Sequence, residues 1–192
     1  MTFPSFLAPL TPVLPAIPSI TAASPVGGGA PVGGAAPNSL GFAMQTQQGS
    51  NWCWAATTSS VSCFFNSAST WTQCAVADAC LQNNCCAAPA PCDVTYSLDG
   101  PLSQTGNLQG IPFPGADTPA GVQAEINAGR PVCCHISWQG GGGHFVAISG
   151  YDAATGDVFV VAPMGTSVSL PFSTFVSSYQ GSGGWDYTYN TQ

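Results

Sequence analysis

The apolar positions of this chain change period part-way along it, and the change divides the sequence into helical and β halves. Trp52-Cys53-Trp54, Ala55 and Ala56 begin an apolar run that reaches about Phe64, and Ser50 or Asn51 stands where a helix cap belongs. The stretch from Ser67 to Asp99 predicts one short helix near Thr72 to Leu81, followed by loop. Thr118 and Pro119 form an N-cap and first helical residue. Val122 and Ile126 then lie four apart on one face, and Gly129 takes the terminating position, which predicts a helix of about ten residues. Beyond it the pattern turns to β. Strands are predicted at Pro131–Trp138, His144–Tyr151, Asp157–Val161, Ser167–Leu170 and Trp185–Asn190, with Asp152–Gly156 as a hairpin turn. Helices followed by an antiparallel sheet make an α+β fold.

Residues 1–40 read differently. Prolines recur from Pro4 through Pro25, and Val26 to Ala36 is almost entirely Gly, Ala and Pro. Such a segment supports neither helix nor central strand and is expected to be a disordered tail. Residues 41–192 are the expected folded domain.

Charge narrows the function classes. Charged residues make up 5% of the 192, lysine is absent, Arg130 is the only strong base, and the net charge is −7. Nucleic-acid backbones and anionic lipid surfaces both require clustered bases, so neither is an expected partner. No apolar run long enough to span a bilayer interrupts the pattern.

Nine cysteines point to an oxidising compartment. Cys63, Cys74, Cys80, Cys85, Cys86 and Cys92 are crowded together, and the odd total leaves one thiol over. Disulfides within this cluster and a protein secreted or delivered outside the cell are therefore expected, although the N-terminal segment lacks the basic start and unbroken apolar stretch of a secretory signal. A zinc site is the weaker alternative, since no Cys-x2-Cys pair occurs and both histidines lie far from the cluster. Cys133 and Cys134 are strand neighbours facing opposite ways and should not bond to each other.

Cys53 stands outside the cluster at a helix start, where the partial positive charge favours a thiolate. Pairing with another cysteine is its alternative role. Gln47, six residues earlier, can fold back beside the helix start and share an oxyanion with the Cys53 amide. His144 follows four glycines and opens an apolar strand, so a substrate backbone can approach its ring. His135 lies inside the predicted buried strand Val132–Ile136 and reads as structural.

Together, Gln-x5-Cys-Trp and, about 90 residues later, Gly-His-x-Val-x-x-x-Gly-Tyr resemble a papain-like cysteine protease. The likeness is greatest to the compact bacterial branch that includes avirulence effectors of plant pathogens. Trp71-Thr-Gln-Cys74, Cys85-Cys86, Ile126 to Val132, Gly141 to Phe145 and Gly183 to Thr191 are also similar to that branch, so the resemblance covers residues 44–191. It implies a papain-like fold in which an N-terminal helical part carries the cysteine and a C-terminal antiparallel sheet carries the histidine. It further implies a monomeric cysteine peptidase acting on peptides or proteins, with Cys53 as nucleophile, His144 as base and acid, Gln47 as oxyanion donor, and neither metal nor organic cofactor. One position departs. The family's Asp or Asn aligns with Ala162, and a register pairing Gly150 near Asp157 would set His144 opposite about Pro163. Asp157 would then lie roughly 16 Å along the strand, and Asp152 sits at the same far turn; Asp186, Asn190 or a water remain as candidates to orient the imidazole. Ala162 keeps open a catalytically weakened or dead relative that binds a peptide or host protein. Acyl transfer other than proteolysis is a third reading.

Overall fold

The computed structural model describes residues 36–192; the rest of the expected tail lies outside the described residues. The chain runs β1 (Asn38–Ser39), α1 (Cys53–Phe65), α2 (Gln73–Leu81), α3 (Asp99–Gln104), β2 (Phe113–Pro114), α4 (Pro119–Asn127), β3 (Val132–Trp138), β4 (Gly143–Asp152), β5 (Asp157–Ala162), β6 (Thr166–Pro171), α5 (Phe172–Ser178) and β7 (Gly183–Tyr189). The strands form one antiparallel sheet in the order β2-β7-β3-β4-β5-β6, with β1 paired to β4. The α+β expectation agrees with this arrangement.

Helix α1 is the central helix, and its residues from Trp54 to Ser62 are all buried. Small side chains make this feasible. The hydroxyls of Thr58 and Ser60 bond back to the carbonyls of Trp54 and Ala56, and Ser59 reaches Trp71, so these three hydroxyls are buried with partners. Helix α4 follows its sequence signals closely. The Thr118 hydroxyl accepts from the Gly121 amide, Pro119 takes the first turn, and Val122 and Ile126 are buried.

Strand alternation divides the interior into two clusters, one on each face of the sheet. Trp54, Ala55 and Val61 of α1 pack with Leu98, Leu102, Cys133, Phe145, Ala147 and Tyr189. On the opposite face Val122, Ile126, Phe175 and Tyr179 cover Cys134, Ile136, Val146, Ile148, Val160 and Ala162. Cys133 and Cys134 thus belong to different faces and are both free.

The cysteine cluster forms two disulfides, Cys74–Cys86 and Cys85–Cys92, while Cys63 and Cys80 are free. The adjacent pair Cys85 and Cys86 therefore ties the loop after α2 back to the start of that helix and forward to Cys92. The expected cap of α1 is also corrected. The helix begins at Cys53 with Trp52 in the cap position, and neither Ser50 nor Asn51 caps it through a side chain. Their backbone amides bond to Asp93 instead.

Candidate active site

The segment entering α1 is held by a second stretch of chain. Asp93 accepts from the amides of Ser50 at 3.1 Å and Asn51 at 2.7 Å, and the Asn51 side chain returns a bond to the Asp93 carbonyl. The indoles of Trp52 and Trp54 donate to the carbonyls of Cys92 and Val94. Both neighbours of Cys53 are thus pinned by residues 92–94, and that strip is itself fixed by the Cys85–Cys92 disulfide. Replacing Asp93 with alanine removes two charge-assisted bonds, each contributing about 1.5–3 kcal/mol where solvent does not compete. Because this site is partly exposed, the expected loss is about 1.5–3 kcal/mol in total, or several degrees in Tm. Thermal unfolding of Asp93→Ala checks this, and an unchanged Tm would show that the indole bonds alone set the loop.

Cys53 is a free, partly buried thiol at the first residue of α1. Pairing between β4 and β5 stops at Ala147 and Val161, and past that point the amide of Phe145 is directed at the Cys53 sulfur. Cys53 therefore meets β4 at the residue that follows His144. The amides of Trp54 and Cys53 itself also face the sulfur. Burial pushes the thiol pKa up, and these three amides oppose the rise. His144 moves the other way: burial lowers its pKa, and the neighbouring His135 lowers it further. Burial thus favours the neutral thiol at Cys53, not the thiolate that the helix terminus alone suggests, and the neutral ring at His144.

Strand alternation puts His144 on the face of Val146 and Ile148, which is also the face of Val160 and Ala162. Its Nε2 is buried and has no hydrogen-bond partner among the described residues. Ala162 is 2% exposed and supplies only a methyl group. The register differs from expectation because Ser149 is an extra residue between Ile148 and Gly150, so Gly150 faces Phe159 and Asp157 faces Asp152. Gly150 also admits β1: a Cβ there would stand 2.6 Å from the Asn38 carbonyl.

Gln47 lies beside the same strand end, its amide donating to the Pro163 carbonyl at 2.8 Å. Its side-chain Nε2 donates to the carbonyls of Gly49 and Ser50, both at 2.8 Å, so these carbonyls engage the side-chain N–H groups within the loop. An oxyanion would have to displace one of those carbonyls.

The Peptidase_C39 like family matches the chain over residues 39–187. The chain belongs to the Peptidase_C39-like family. Membership supports a papain-like cysteine peptidase whose substrates are peptides or proteins. No curated protein matches the chain closely enough to add to this.

In this C39-like protein, the sequence reading misplaced His135. It is a partly exposed cleft residue, not a buried structural one, and its Nδ1 lies 2.6 Å from Asp186 Oδ1. The reason is a β-bulge. His135 pairs with Tyr187 and Ile136 with Trp185, leaving Asp186 as the extra residue, and the bulge brings its carboxylate to the ring. Asp186 therefore partners His135. The pair lines a cavity of about 380 Å³ with Cys53, Gly143 and the aromatic rings of Trp54, Tyr96, Phe145, Tyr187 and Tyr189. Gly143 must be glycine here, since a Cβ would sit 2.2 Å from His135 Nε2. A His on a strand and an Asp 51 residues later carried no sequence signal of contact.

Among the described residues no cluster of His, Cys, Asp or Glu has metal-site geometry, and no helix is long and apolar enough to cross a membrane.

Proposed function

We propose that this protein is a cysteine peptidase in which Cys53 attacks a peptide carbonyl and His144 moves the proton. The observation that carries the reading is the free Cys53 thiol at the start of α1, set against the amide of the residue following His144. The imidazole accepts the thiol proton as the sulfur attacks, then delivers it to the leaving amine. The Cys53 amide is one oxyanion donor. Gln47 is the second once substrate displaces the Gly49 or Ser50 carbonyl. Export fits the two disulfides, and we place the residues ahead of β1 as a tail preceding a monomeric peptidase domain. Delivery as an effector rests on the motifs shared with the avirulence branch.

Incubation with a mixed peptide library tests this: mass spectrometry should find new termini with the parent protein and none with His144→Ala. A second reading is favoured by Ala162 and the unpartnered His144 Nε2, namely a weakened or dead relative that binds peptide in the same cleft. Bound but intact peptides would support it.

The pKa directions predict the pH profile. A His144 pKa below the ordinary value of about 6.5 keeps the ring neutral, and so able to act as base, to lower pH; the acid limb of kcat/KM should therefore fall below that value. The raised Cys53 pKa predicts that alkylation by iodoacetamide accelerates above the ordinary thiol range of about 8.5. An acid limb above 6.5 would contradict the assignment of His144 as the base.

A further inference from the structure

We infer that the cavity beside Cys53 is a recognition pocket for a basic side chain of the peptide, lysine or arginine, whose cation is held at Asp186. This rests on the peptide-binding part of the reading above. The pocket is built from two kinds of wall. Tyr96, Tyr187 and Tyr189, with Trp54 and Phe145, present aromatic surface suited to the methylene stem and to cation–π contact. At the other end Asp186 presents a carboxylate. His135 Nδ1 engages its Oδ1, and the Asp186 side chain is 48% exposed, so the carboxylate stays accessible to a ligand. A group that satisfies this end must bring N–H donors and positive charge.

The surroundings leave the field negative. A second groove continues past Ser97, Tyr187 and Tyr189 to Asp99. Lysine is absent, and the only arginine, Arg130, is bound to Glu125 at 2.6 Å. Among the described residues no lysine or arginine competes for Asp186; an acidic side chain would be repelled by its carboxylate, and an apolar one would cover it without bringing a countercharge.

The test uses Cys53→Ala, which binds without turnover, at pH 8, where histidine is ordinarily neutral. Fluorescein-labelled hexapeptides of Gly, Ala and Leu carry a single Arg moved through every position, and are compared with the same series carrying Leu. At one position the Arg peptide should bind at least tenfold more tightly. Asp186→Asn in the same background should remove the difference. Asp157→Asn, an equal change of charge at the β4–β5 hairpin, should keep it. Should Asp186→Asn fail to fold, Tyr96→Leu provides a second reading, with the Arg advantage reduced severalfold. Overturning results are equal binding of Arg and Leu peptides at every position, or an advantage that survives Asp186→Asn or, in its place, Tyr96→Leu. Cleavage of the same peptides by the parent protein is scored separately. Selective binding without cleavage would end the peptidase reading and keep the pocket; cleavage without selectivity would do the reverse.

Discussion

Cys53→Ala is expected to lower peptide turnover by about 10⁴-fold or more while leaving the melting temperature almost unchanged. The first half follows from the role of the nucleophile, since no other group can form the acyl intermediate. The second follows from its position. Cys53 is partly buried and outside both disulfides, and the α1 entrance is held by Asp93 and by the indoles of Trp52 and Trp54, not by the thiol. Loss of one sulfur at such a site removes little packing. Turnover assays and thermal unfolding on the same preparation check both halves. A variant that unfolds would give Cys53 a structural role and remove it from the mechanism.

Ala162→Asn is expected to raise kcat about tenfold, which corresponds to roughly 1.4 kcal/mol of transition-state stabilisation. His144 Nε2 is buried without a partner, and Ala162 ends the strand beside β4 on the same face of the sheet. An amide oxygen there can accept the Nε2–H and fix the tautomer in which Nδ1 is free to act as base. KM should change little, because the gain is made in the transition state. Asparagine is preferable to aspartate, since Ala162 is 2% exposed in an apolar cluster and a buried carboxylate is costly to desolvate. Any amide hydrogen left unpaired would cost about 1–3 kcal/mol of stability, which a parallel Tm would register. A folded variant with unchanged kcat would mean that Ala162 does not stand at the orienting position.

What the sequence made legible was local. Thr118, Pro119, Val122, Ile126 and Gly129 each specify a cap, a first turn, a buried face or a termination, and α4 formed there because those signals agree. The two strands around Asp152–Gly156 were readable for the same reason. Elements that depend on distant partners were not. Strand β1 is two residues long and exists through its pairing with Gly150 and Tyr151. Helix α3 contains Gly100 and Pro101, and α5 is made mostly of Ser and Phe, so neither carries helix propensity that stands out. The β4–β5 register slipped by the Ser149 bulge, and a second bulge turned Asp186 toward His135. Bulges shift pairing without altering hydrophobic alternation enough to be read.

The site divides along the same line. Cys53, Gln47 and His144 could be proposed from spacing alone, two of them at the starts of predictable elements. The cleft wall was not found, since Tyr96, His135, Asp186 and Tyr187 come from three separate stretches of the chain. The sequence also did not show that the Gln47 amide is already engaged by the Gly49 and Ser50 carbonyls.

The pairing of Cys53 with His144 is tested most directly by reaction with a peptidyl epoxide, followed by mass mapping of every cysteine. One adduct is predicted, on Cys53, with Cys63 and Cys80 unlabelled although both are free thiols. In His144→Ala the rate of that adduct should fall by about 100-fold or more. Equal labelling of Cys63 and Cys80, or a Cys53 rate that survives His144→Ala and falls instead in His135→Ala, would contradict the assignment.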